Sequence, residues 1–149
     1  MITDRLKDAV PSSGGDAGVP DRPDPVAAMH SRSTLVEIHS VVREMNAILG
    51  ASLVAALAGT RNRTIAYRWA NPDGPEPANA TQTRLFAAYR ICRALGAHLS
   101  ARTVRAWFIS PNPALSERTP AEAIADNDLR EALGAATAFL HAQGTSGHA

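Results

Sequence analysis

From Ser33 onward the apolar residues return every three or four positions. Leu35, Ile38, Val42, Met45 and Leu49 fall on one stripe of a helix that Ser33 or Thr34 can cap and Gly50 can end. Two shorter helical stretches follow, Ala51 to Ala58 and about Asn62 to Ala70, parted by Gly59-Thr60-Arg61. Asn71-Pro72 closes the second, because a residue before proline avoids helical angles. Pro72 to Asn79, rich in proline, reads as a loop, after which Leu85, Ala88, Cys92 and Leu95 restore the helical period until Gly96. A helix from Ser100 to about Ile109 would bury Val104, Trp107 and Phe108, and Ser110-Pro111-Asn112-Pro113 is a turn by composition. Thr119-Pro120-Ala121-Glu122 places a cap, a proline at the first helical position and an acid three residues after the cap. Asp128 can open a last helix with Leu129, Leu133, Ala136 and Leu140 inward. No stretch keeps the period of two that a strand needs, and no segment repeats, so the expected fold class is all-α.

Ahead of Ser33 the pattern lapses. Residues 1–32 hold Pro11, Pro20, Pro23, Pro25 and a Ser12-Ser13-Gly14-Gly15 run, with too few apolar side chains to order a backbone. The expected organisation is therefore a disordered tail (1–32), a helix-turn-helix domain (33–98) and a second small helical domain (99–149). A chain of 149 residues, 45% of them hydrophobic, suits one domain or two small ones and not a large enzyme. Cys92 is the single cysteine, which excludes an internal disulfide. Neither a secretory leader pattern nor a membrane-length apolar run is visible, so the expected setting is cytoplasmic, with no membrane partner.

The net charge of +1 conceals an asymmetry. Between Gly59 and Ala106 stand eight arginines (61, 63, 68, 84, 90, 93, 102 and 105) against Asp73 and Glu76. From Trp107 onward Arg118 and Arg130 face Glu117, Glu122, Asp126, Asp128 and Glu131. A basic centre attracts phosphates; an acidic, apolar end suits a protein partner. Lys7 is the only lysine, and this arginine excess fits either bidentate phosphate and guanine contacts or a coding bias.

The basic centre contains a spacing with mechanical meaning. A helix-turn-helix needs a small residue where the second helix crosses the first, a glycine at the turn and an apolar residue to dock the second helix. Ala55, Gly59 and Ile65 meet those requirements, with Val54 and Ala58 on the inner face of the first helix. Arg61, Asn62, Arg63, Thr64, Tyr67 and Arg68 would then face DNA, where such side chains bond base edges and phosphates. The apolar residue expected at 68 stands instead at Trp69, which suits a core anchor. Two short helices joined by glycine also occur as plain packing units.

Leu49 to Ala142 resembles the Xre-type antitoxins that carry a ParS/MbcA-like toxin-binding domain. The resemblance rests on the helix-turn-helix, Arg84-Leu85-Phe86, the run Trp107-Phe108-Ile109-Ser110-Pro111-Asn112-Pro113-Ala114-Leu115, Thr119-Pro120-Ala121-Glu122-Ala123-Ile124 and a final amphipathic helix. Two departures stand out: Ser116-Glu117-Arg118 where a glycine is common before the Thr-Pro pair, and Asp126-Asn127-Asp128 where a glycine-containing turn is frequent. The resemblance implies a RES-domain toxin that consumes NAD as partner, silenced when the C-terminal region covers its active-site entrance. It also implies autoregulation through operator DNA, as a homodimer or a hetero-oligomer with the toxin. Trp107, Asn112, Leu115, Leu140, His141 and Gln143 are the toxin-binding candidates it suggests. Core packing competes for Trp107 and Phe108, and turn formation for Asn112. Residues 141–149 suit either a frayed end or a segment that orders in the toxin's pocket.

Five scattered histidines and one cysteine offer no metal-ligand spacing, and neither a phosphate-cradling glycine loop nor a nucleophile motif is present. The expectation is no enzymatic activity, no metal and no cofactor. Two other readings remain open at this point: an adaptor whose helix-turn-helix has decayed, and a stand-alone transcriptional regulator without a toxin.

Overall fold

The computed structural model describes the backbone from Pro25 to Ser146 and the side chains of residues 37–144. The chain divides into two units, Met1–Thr34 and Leu35–Ala149. Of the first, only the residues from Pro25, which belong to the first helix, are described. The helices are α1 (Pro25–Leu49), α2 (Ala51–Leu57), α3 (Arg63–Ala70), α4 (Asn79–Gly96), α5 (Ala101–Ile109), α6 (Pro120–Ala125) and α7 (Leu129–Ser146), with a 3-10 turn at Pro113–Leu115. The described residues are all-helical, and no helix among them is long and apolar enough to cross a membrane.

The first helix begins at Pro25, eight residues before the expected start at Ser33. Proline is at ease in the first turn of a helix, and Ala27-Ala28-Met29 are good helix formers that the tail's overall composition masked. The rest of the expected tail, residues 1–24, lies outside the described residues, as does the side chain of Leu35.

Other boundaries follow local chemistry. Asn62 accepts a hydrogen bond from the Thr64 amide at the start of α3, and Ser100 from the Thr103 amide at the start of α5. Thr119 and Glu122 form a reciprocal capping box over Pro120. At the end of α2, Gly59 takes φ +89°. There the Thr60 amide bonds to Ala55 O and the Gly59 amide to Ala56 O, both at 2.9 Å, which is the Schellman closure of a helix. The same closure ends α6, with Asn127 left-handed at φ 67°.

One core runs through the second unit. Ile38, Val42, Met45 and Leu49 of α1, Val54 and Leu57 of α2, Leu85, Ile91 and Leu95 of α4, Phe108 of α5 and Ile124 of α6 are all buried in it. It crosses the expected boundary at residue 98, since α6 packs on α2 and α7 on α4. The inner face of α7 is made by Ala132, Ala135 and Ala136, with Leu129, Leu133 and Leu140 half-buried at its flanks. Small side chains let that helix approach its neighbours closely.

Candidate nucleic-acid interface and a second apolar groove

Rotation of α3 decides what the basic centre can touch. Ala66 and Trp69 are buried, and Ile65 and Ala70 pack partly against the core. Arg63, Thr64, Tyr67 and Arg68 lie on the opposite arc and are exposed, as are Arg61 and Asn62 just before the helix. All six candidate DNA-facing residues are thus at the surface. Trp69 is the anchor, and this explains why an apolar residue stands at 69 and not at 68. Asn62 has a structural duty: its Oδ1 caps α3 by accepting from the Thr64 amide at 3.1 Å.

Electrostatics separates the arginines into two groups. Arg93 bonds Glu44 at 3.2 Å, and Arg105 donates to the carbonyl of Ile48 at 3.1 Å. Both pin α1 to later helices. Arg61, Arg63 and Arg68 pair with no carboxylate among the described residues. Of the described large apolar side chains, two stand exposed: Tyr67 on this face, at 62%, and Ile109, at 56%.

The helix that carries Ile109 also borders a second feature. A groove of about 590 Å³ lies between α5, the turn after it and α7, lined by Ala106, Trp107, Asn112, Ala135, Ala138 and Phe139 among others. Trp107 packs edge-on against Phe108 with ring centroids 5.2 Å apart, and its buried indole Nε1 has no hydrogen-bond partner. The toxin-facing candidates are thereby dispersed. Trp107 and Asn112 line this groove. Leu140 and Gln143 line a smaller one with His98 and Leu99. His141 is exposed on α7. Leu115 is only 3% exposed, a core residue and not a surface contact, because the 3-10 turn directs it inward. Asn112 Oδ1 caps that turn through the Ala114 amide at 2.9 Å.

Much of the groove's wall is alanine, at 106, 135, 138 and 142, which carries no chemical signal in a sequence. Among the described residues no three His, Cys, Asp or Glu side chains converge as metal ligands would. Comparison with known protein families, with characterised proteins and with solved structures finds no match.

Proposed function

We propose that this chain is a DNA-binding antitoxin without catalytic activity of its own. The outer face of α3 holds operator DNA, and the C-terminal segment neutralises a RES-type, NAD-consuming enzyme by covering its active-site entrance. One observation carries the first half: α3 is anchored by Ala66 and Trp69 while Arg61, Arg63, Thr64, Tyr67 and Arg68 face outward, its arginines unpaired with described carboxylates. Unpaired guanidinium groups beside an exposed tyrosine suit phosphates and base edges in a major groove. The second half rests on the sequence resemblance, and the apolar groove at Trp107 and Phe139 offers a surface that a protein partner could fill.

A gel shift on the promoter ahead of the chain's own gene tests this reading. Arg63→Ala with Arg68→Ala should weaken retardation roughly ten-fold or more and leave inhibition of the partner's NAD consumption intact. Equal loss of both activities counts against separate surfaces. Absence of salt-sensitive retardation by the wild-type chain, with or without the partner, leaves only an adaptor that grips its enzyme through the groove.

A further inference from the structure

Among the described arginines, Arg84 is the one with a buried guanidinium nitrogen left without a partner. Its side chain runs from the first turns of α4 to the turn between α2 and α3, with Nη2 3.9 Å from where a Cβ on Gly59 would stand. The residue is half-buried, and its Nε is sealed from solvent without a hydrogen-bond partner. Nη1 makes one long bond, 3.3 Å, to Ala80 O on its own helix. A guanidinium carries five N–H donors, so most of them find no acceptor among the described residues. By contrast Arg93 and Arg118 reach carboxylates, and Arg105 a free helix-end carbonyl.

Withdrawing a cation from water without acceptors costs folding energy. The group stands where an acceptor from outside can reach it, because Gly59 is exposed, with exposed Arg61 in the turn and Arg63 at the start of α3 close after it in the chain. We infer that Arg84 is a phosphate-binding residue: it engages a phosphodiester of the DNA backbone beside the turn while α3 enters the groove. The inference rests on the DNA-binding reading. It assigns Arg84 to affinity and not to sequence choice, since phosphate contacts position a protein without reading bases. A phosphate offers several acceptor oxygens, and the donors left over on Nη1 and Nη2 are the ones it can meet from outside.

The test uses the full chain with Arg84→Met and Arg84→Lys, the promoter duplex and a random-sequence duplex of equal length, at several salt concentrations. A structural role and a phosphate role predict opposite signs for stability. If Arg84 serves DNA, Arg84→Met melts at the wild-type temperature or above it. It also binds both duplexes about ten-fold more weakly, and its log K against log salt slope is shallower by about one. Arg84→Lys keeps the steeper slope, because a point charge still releases a counterion. A lower melting temperature or failure to fold in Arg84→Met overturns the inference, as does a normal melt with unchanged affinity and slope. Loss of partner binding with an unchanged DNA slope assigns the residue to a protein contact and overturns it too. A wild-type chain that binds neither duplex removes the DNA-binding reading and this inference with it; normal wild-type binding beside an unaltered Arg84→Met removes this inference alone.

Discussion

The imidazole Nδ1 of His39 lies 2.6 Å from the carbonyl oxygen of Trp69. A carbonyl only accepts, so Nδ1 carries the proton and donates it to a carbonyl in the last turn of α3, where intrahelical partners run out. One turn earlier the Asn46 side-chain amide donates to Ala66 O at 3.1 Å. These two α1 residues, seven positions apart and hence on one stripe, hold the end of the helix proposed to enter DNA. His39 is 5% exposed, so its bond is shielded from competing water.

His39→Leu should therefore lower unfolding free energy by about 1–3 kcal/mol, the cost of leaving a buried carbonyl without a donor. Urea titration measures this, and a midpoint equal to wild type would mean the contact contributes nothing net. The same variant should lose more affinity for operator than for random DNA, because base contacts demand the orientation of α3 more strictly than phosphate contacts do.

Backbone strain makes a second prediction. Ser116 and Glu117 sit consecutively at φ 58° and 70°, left-handed values at which a Cβ crowds the following carbonyl. Glycine at either position should raise stability by about 0.5–1 kcal/mol, after its own greater unfolded entropy is subtracted. Gly59→Ala should do the reverse by a similar amount, since φ is +89° there although the nearest atom, at 3.9 Å, leaves room for a methyl group. Thermal melts of the three variants check both signs.

Cys92 supplies the pH dependence. Burial pushes its thiol up from 9.0 to about 11, the nearby Glu44 carboxylate adds to the rise, and Arg93 opposes it. Between those two values the folded thiol keeps a proton that an unfolded thiol loses. The contribution to stability is thus complete below pH 9.0 and declines as pH rises through about 11. Iodoacetamide should alkylate the folded chain slowly at about pH 8 and rapidly once urea opens it. Equal rates in both states would show that the thiol is accessible in the fold.

Thr119→Ala removes half of the reciprocal cap on α6: the bond from the Glu122 amide to Thr119 Oγ1, 3.0 Å, while Glu122 still accepts from the residue-119 amide at 2.9 Å. A loss of about 1 kcal/mol in urea unfolding is expected. Because α6 packs on α2, hydrogen exchange should also quicken in α2, and protection unchanged there would show that the two helices open independently.

Much of this could be read residue by residue. The Ile38–Leu49 stripe, the Gly59 turn, the Thr119 cap and the stop at Asn71-Pro72 all depend on a few neighbours along the chain, and each lies where its local chemistry requires. Left-handed backbone occurs at three non-glycine positions: Asn127 tolerates the turn that it occupies, and Ser116 with Glu117 endure theirs. The start of α1 at Pro25 is hidden in the sequence because the prolines around it dominate the composition while the helix formers that follow are few.

Periodicity and capping thus established the helices and the exposed, basic character of the 61–68 segment, since those effects act over one or two turns. Three-dimensional packing decided which arginines remain available, that Leu115 faces inward, that alanines on α5 and α7 enclose a groove, and that Arg84 reaches the turn 25 residues before it. These depend on contacts between residues far apart in the chain, and a side chain's partners exist only once the helices have met.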